Sequence, residues 1–173
     1  MAGSPFTSQQ KVNSMSKNEE SSKQFNIHKI YLKDASFESP GSPASFGQQP
    51  WDPKLDLNMN NTHEELGNDR YETVLRITLT ATHDGEASFL IEVQQAGIFV
   101  IAGFSEEETK YLLGSQCASI LFPYVREQIS DLTVRGGFPP LVLSPVNFDV
   151  LYQQHLKQKQ GKGAASEEIV DAS

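Results

Sequence analysis

The sequence predicts an α+β domain: a four-stranded antiparallel sheet, a long proline-rich crossover loop and two C-terminal helices. Three observations predict it. Apolar residues alternate with polar ones in four segments between residues 25 and 94, and the apolar spacing then becomes helical. Short turn signals separate the second, third and fourth segments, which favours antiparallel pairing. Strands first and helices afterwards is the order of an α+β fold, not of a doubly wound sheet.

The elements follow in order. Phe25 to Glu38 reads as extended, with Phe25, Ile27, Tyr31, Ala35 and Phe37 sharing one parity. Glu38 to Lys54 then holds Pro40, Pro43, Pro50 and Pro53, with Gly41 and Gly47. Proline fixes φ and has no amide hydrogen, so this segment is neither helix nor central strand. It is long enough to cross a sheet, so the first two strands need not be neighbours. It also carries Phe46 and Trp51, large apolar groups that need something to pack on.

Leu55, Leu57 and Met59 alternate with Asp56, Asn58 and Asn60, the pattern of a half-buried strand. Gly67-Asn68-Asp69 turns the chain. Tyr71, Thr73, Leu75, Ile77, Leu79 and Ala81 point one way, and Glu72, Arg76, Thr78 and Thr80 the other. Asp84-Gly85 signals a hairpin. The returning strand sets Ala87, Phe89, Ile91 and Val93 on one face and Ser88, Leu90, Glu92 and Gln94 on the other. Gly97 and Gly103 predict a bend or bulge near its end.

Ser105 and Glu108 form a capping box, and Glu106 and Glu107 suit the positive end of the helix dipole. Leu113, Cys117, Ile120, Leu121, Tyr124 and Val125 recur at helical spacing, followed by Ile129 and Leu132. Pro123 is expected to kink this helix and Gly136-Gly137 to end it. Phe138 to Ser144 is a stiff apolar link. Asn147 caps a second helix with Phe148, Leu151, Tyr152 and His155 or Leu156 on one side. Residues 1–24 are polar and expected to be disordered, residues 25–160 to fold, and residues 161–173 to be a flexible tail.

Bulk chemistry narrows the function. The net charge of −8 repels nucleic-acid phosphates and anionic membranes and suits a basic partner. The single cysteine, Cys117, excludes an intrachain disulfide and a cysteine-built zinc site. No apolar run reaches membrane-spanning length, and no signal-peptide core is seen, so a cytoplasmic location is expected.

A catalytic set is missing from the pattern. His28, His63, His83 and His155 make no short metal-binding pair, and no phosphate-cradling glycine motif occurs. Cys117 lies on the apolar helix face without a sequence-adjacent cation, which describes a packed thiol. Asp34, Glu38 and Glu92 lie on polar strand faces without a neighbouring base or nucleophile, which from the residues alone describes a solvated acidic face. What stands out is apolar surface: Leu90 on an otherwise polar face, Trp51 and Phe46 on a loop, Phe148 and Tyr152 on an uncovered helix. Such groups call for an oligomer interface or a groove for apolar polypeptide.

Several runs carry a resemblance to the SecB family of protein-export chaperones. Ile30 to Pro40 (IYLKDASFESP) resembles the family's first strand, and Glu92 to Phe99 (EVQQAGIF) its fourth. Ile120 to Glu127 (ILFPYVRE) resembles its kinked helix. Arg135 to Pro139 (RGGFP) and Leu143 to Asp149 (LSPVNFD) resemble the run into its last helix.

The resemblance implies a homotetramer, a dimer of dimers. It implies an ATP-independent holding chaperone that keeps secretory precursors unfolded and delivers them to the SecA motor, with no cofactor of its own. By position, Asp34, Glu38, Leu90 and Glu92 match the SecA-contact surface. The zinc in that contact belongs to SecA's C-terminal tail. Ile91, Val93 and Gln95 match positions that affect tetramer assembly, and Leu113 and Cys117 of the long helix are assigned to the oligomer interface with them. Trp51, Leu55, Leu57, Phe148, Leu151 and Tyr152 are assigned to the peptide groove. Two other readings remain: a SecB-like chaperone controlling a toxin–antitoxin pair, and a small-ligand enzyme using the groove.

Overall fold

The computed structural model describes residues 22–47 and 50–167, with side chains to residue 160. The tail expected over residues 1–24 therefore lies almost wholly outside the described residues. Four strands form one antiparallel sheet: β1 (Gln24–Glu38), β2 (Lys54–Gly67), β3 (Arg70–His83) and β4 (Glu86–Ala102). Their spatial order is β1-β4-β3-β2. The crossover loop thus carries the chain from one sheet edge to the other, and the first two strands are not neighbours.

The short turns have the chemistry the sequence announces. Asn68 and Asp69 take φ of 54° and 56°, and Asp84 and Gly85 take 50° and 83°. Positive φ at both central residues gives a turn whose twist matches paired strands. β3 and β4 alternate as read except at the start of β4, where a bulge between Ala81 and Thr82 sets Ala87 opposite Thr82 on the outer face rather than with Phe89. Leu75, Ile77, Leu79, Phe89, Ile91, Val93 and Phe99 are each at most 2% exposed.

β1 departs from the predicted parity. Its register against β4 slips between Ile27 and Lys29 and again between Leu32 and Asp34. Each slip inserts one residue and reverses the faces beyond it. Between the slips, Ile30 and Leu32 face the helix side and Tyr31 faces the opposite side, across from Ala96. The two reversals cancel, so Ala35 and Phe37 return to the helix side with Phe25 and Ile27. Tyr31 is the residue the single-parity reading misplaces.

Gly97 makes no bend: both neighbouring ladders run through it in register. A Cβ there would lie 2.7 Å from a Phe99 ring carbon and 3.1 Å from Leu121 Cδ2, so the glycine makes room for the packing of ring and helix. Ser88 also differs from expectation. It is the extra residue of a bulge against β3 and is 2% exposed, because the crossover loop returns over it and Ser39 Oγ donates to the Ser88 carbonyl at 3.2 Å.

The first predicted helix is three segments: α1 (Glu106–Tyr111), a π-helical turn (Leu112–Gln116) and α2 (Cys117–Arg135). The capping box is present, with Glu108 N donating to Ser105 Oγ at 3.2 Å and Ser105 N to Glu108 Oε2 at 3.0 Å. Pro123 lies inside α2 on its exposed side. α2 packs over β4 and β3, burying Cys117, Ala118, Leu121, Val125 and Ile129 completely. Tyr124, expected on the apolar face, is 43% exposed.

The link after α2 closes the core. Phe138 is 6% exposed and lies 4.7 Å from Phe89, 5.1 Å from Trp51 and 5.2 Å from Phe46, centroid to centroid. The loop aromatics thus find their packing partners around one ring. The final helix, α3 (Phe148–Glu167), begins where Val150 N donates to Asn147 Oδ1 at 3.1 Å, and it continues past residue 160. Among the residues of α3 whose side chains are described, Phe148 alone is buried.

Candidate functional site

The sheet has two working faces. On the outer face, away from α2, Glu38 lies opposite Leu90, Ser36 opposite Glu92 and Asp34 opposite Gln94. Directly opposed residues share a face, so Asp34, Glu38, Leu90 and Glu92 form one patch across two strands. Asp34 and Glu38 are exposed, Leu90 is half-buried, and the Glu92 side chain is 36% exposed. Three carboxylates around one leucine suit a partner that is basic and carries an apolar group.

β3 adds residues to this patch that sequence reasoning passed over. Arg76 lies opposite Gln94, and its Nε is 3.6 Å from Glu92 Oε1. Gln94 Nε2 donates to the same oxygen at 3.0 Å. Alternation had set Arg76 on a polar face. The neighbour it meets depends on the β3–β4 register, which the sequence does not print.

Further along that face the charges are already committed. Lys33 Nζ reaches Glu72 Oε2 at 2.7 Å, and the Tyr31 hydroxyl donates to Glu72 Oε1. Burial, with Glu72 beside it, pushes the Tyr31 hydroxyl up to about 12. The bonds from Lys33 and then Tyr31 hold the Glu72 carboxyl below its ordinary range, against desolvation.

The helix-side face is apolar and incompletely covered. α2 crosses β4 and β3, while Leu55 and Leu57 on β2 are each 42% exposed. Beside them Met59, Leu75, Phe148, Leu151 and Tyr152 border a cavity of about 540 Å³. Three of the six predicted groove residues, Phe148, Leu151 and Tyr152, thus meet in one place. Leu55 and Leu57 continue the same face along β2. Trp51 stands apart, stacked 5.6 Å from His83 within the Phe138 cluster. Met59 also borders this cavity and was not among the predicted residues, although its alternation with Leu57 is the signal that finds it.

The π turn sets α3 against this cavity. Asn61 Nδ2 donates to the Leu113 carbonyl at 3.0 Å, capping an acceptor in the turn. Asp149, in the first turn of α3, accepts from the Tyr111 hydroxyl at 2.9 Å, from Gln116 Nε2 at 3.4 Å and from Ser115 Oγ. These bonds hold its carboxyl below the usual range.

The residues assigned to the oligomer interface lie inside the chain. Ile91, Val93, Gln95, Leu113 and Cys117 are each 3% exposed or less. Burial pushes the Cys117 thiol up to about 12, which describes an inert core thiol. Among the described residues no group of three or more His, Cys, Asp or Glu is placed to hold a metal. Among the described residues no helix is long and apolar enough to cross a membrane.

The family described as "Preprotein translocase subunit SecB" matches residues 18–159. The chain belongs to the SecB family. The Protein-export protein SecB of Nitrosococcus oceani is 50% identical over 143 residues, 82% of this chain and 87% of the relative. That of Legionella pneumophila is 47% identical over 161 residues, 93% of this chain and 98% of the relative. The fold is also that of a SecB-like chaperone from Mycobacterium tuberculosis, solved in complex with a peptide from an antitoxin. That structure superposes with a TM-score of 0.61 at 20% identity, covering 70% of this chain and 90% of the other. At that identity the likeness is one of fold. The SecB architecture therefore carries, on this chain, an acidic outer patch and an open apolar cavity on opposite faces of one sheet.

Proposed function

We propose that this SecB chain is an ATP-independent holding chaperone that keeps secretory precursors unfolded and delivers them to SecA. The observation that carries the proposal is the division of labour across one sheet. The helix side offers the cavity at Phe148, Leu151 and Tyr152 with Leu55 and Leu57 beside it. Apolar contact is non-directional, so such a surface holds many unrelated unfolded segments. The outer side offers Asp34, Glu38 and Glu92 around Leu90 to a basic partner segment.

The working form is a tetramer. Ile27 and Leu32 on the edge strand β1 are 48% and 45% exposed, and Tyr124 and Val134 on α2 are 43% and 52% exposed. Large apolar groups on a sheet edge and an outward helix face are economically covered by further copies. Ile91, Val93, Gln95, Leu113 and Cys117 act on assembly from inside, by setting the position of α2 on the sheet. Several grooves on one assembly raise avidity for a long client through effective concentration.

The test is dilution of a urea-unfolded secretory precursor into the purified protein, with light scattering and native mass recorded on one sample, and with SecA then added. Suppressed aggregation by a tetramer, followed by transfer to SecA, supports the reading. A folded tetramer that leaves aggregation unchanged removes the chaperone role. Holding without any SecA association, or SecA association unaffected by Glu92→Lys, removes the assignment of the acidic face.

A further inference from the structure

Resting on the reading of the acidic face as the SecA site, we propose that Arg76 is an internal clamp on Glu92. In the free protein it occupies the carboxylate that a basic partner must take. The geometry is local and asymmetric. Glu92 Oε1 is 3.6 Å from Arg76 Nε and accepts from Gln94 Nε2 at 3.0 Å. Among the described ion pairs, Glu92 has this cation, whereas Asp34 and Glu38 enter none. Lys33, the lysine flanking Asp34 on β1, is drawn off by Glu72 at 2.7 Å. One carboxylate of the patch is therefore internally paired and the other two are left for the partner.

The clamp is built to open. The Arg76 side chain is 51% exposed, so its pair with Glu92 is screened by solvent and weak. Beside it the outer face sinks into a depression of about 390 Å³ bordered by Arg76, Lys33, His63, Glu64, Glu72 and Gln94. The exposed Glu64 borders the same depression, whereas Glu72 already holds Lys33 and Tyr31. Binding is thus an exchange: a lysine or arginine of the partner takes Glu92 while Arg76 swings into the depression on the Glu64 side.

The exchange makes Arg76 a positioning residue for specificity. A partner that touches Leu90 as well as the carboxylates gains enough contact to displace Arg76. A simple polycation meets a patch with one charge already answered, and is disfavoured. An exposed ion pair of this kind lowers affinity roughly two- to fivefold.

The experiment is a double-mutant cycle read by calorimetric titration of full-length SecA, at fixed ionic strength near 0.15 M, where screening limits effects beyond about 8 Å. The four proteins are the natural chain, Arg76→Gln, Glu92→Gln and the double variant, with Arg76→Lys as a fifth. Arg76→Gln is expected to tighten SecA binding about two- to fivefold, to do so less than half as strongly beside Glu92→Gln, and to be partly reversed by Arg76→Lys. An equal gain in both backgrounds overturns the clamp, because Arg76 then acts only through net charge. Weaker binding by Arg76→Gln overturns it too, since Arg76 is then itself a contact. If the natural chain does not bind SecA, the SecA reading falls and an arginine-rich dodecapeptide replaces SecA in the same cycle. Coupling there upholds the clamp, and its absence overturns it.

Discussion

Gly114 and Tyr152 meet with no room for another atom: a Cβ on Gly114 would lie 2.5 Å from Tyr152 Cδ2. Gly114 sits in the π turn and Tyr152 on the groove side of α3. The close approach seats the last helix on the long one and shapes the cavity between them. Gly114→Ala is expected to dislodge the Tyr152 ring and to cost about 1–3 kcal/mol, the usual range for overpacking. Thermal unfolding measures the cost. The near-ultraviolet signal of tyrosine and peptide affinity measure the displacement, which should leave the β-sheet signal intact. An unchanged peptide affinity would detach this contact from the groove.

Asp149 makes the attachment of α3 depend on pH. Its carboxyl is held below the ordinary range chiefly by Ser115 and Tyr111. A carboxyl lowered in the folded state stabilises above its unfolded value, near 3.9, and that contribution is lost as pH falls through the folded value. Amide protection over α3, taken relative to the intrinsic exchange rate at each pH, should therefore fall below about pH 4 in the natural chain. Asp149→Asn should show the faster exchange already at neutral pH, with the sheet protected in both. Slow exchange in that variant would mean that packing of Phe148 and Tyr152 alone seats the helix.

Phe138 centres the aromatic cluster that anchors the crossover loop. It is 6% exposed, and its ring lies near those of Phe89, Trp51 and Phe46. Phe138→Ala should cost about 3–5 kcal/mol, as large-to-small changes of buried aromatics do. Trp51 is the one tryptophan, so its fluorescence reports the site directly. A red-shifted emission is expected in the folded variant. Emission identical to the natural chain would place the loop's anchor elsewhere.

Cys117 should be silent in the native state. Its thiol is raised to about 12 by burial, so the reactive thiolate is scarce at pH 8. A thiol reagent at that pH should react on the timescale of unfolding and at once in denaturant. The sign also fixes a weakness at high pH. The folded state keeps a proton that the unfolded thiol, near 8.5, gives up. Stability from this group is full below about 8.5 and falls as pH rises toward 12. Cys117→Ser should unfold more easily at neutral pH yet lose less of its stability between pH 9 and 11.

Much of this was legible in the chain. Alternation in β3 and in β4 from Phe89 onward, the Asp84-Gly85 turn, the Ser105–Glu108 box and the Asn147 cap are local signals, and each appears as read. Local signals survive folding when no tertiary contact opposes them. Tyr31 and Gly97 were misread because their placement answers to neighbours far along the chain. The bulges that turn Tyr31 toward Glu72 exist only in the pairing of β1 with β4. The clearance at Gly97 is for Phe99 and a leucine on α2. The π turn was read as ordinary helix because its one weak signal, Gly114, is tolerated within a helical pattern. The contacts that mark it, Asn61 from β2 and Asp149 from α3, come from other elements.

The sequence by itself determined the elements, their order and the two-faced character of β4, with Leu90 and Glu92 on one side and Ile91 and Val93 on the other, because a strand's period of two is intrinsic to its backbone. Only the tertiary structure decided which residues share a site. Strand order β1-β4-β3-β2 brought Asp34 and Glu38 of the first strand beside Glu92 of the last, and added Arg76 from β3 on the other side of β4. Register and crossover are set by long-range pairing, whose distances no local pattern encodes.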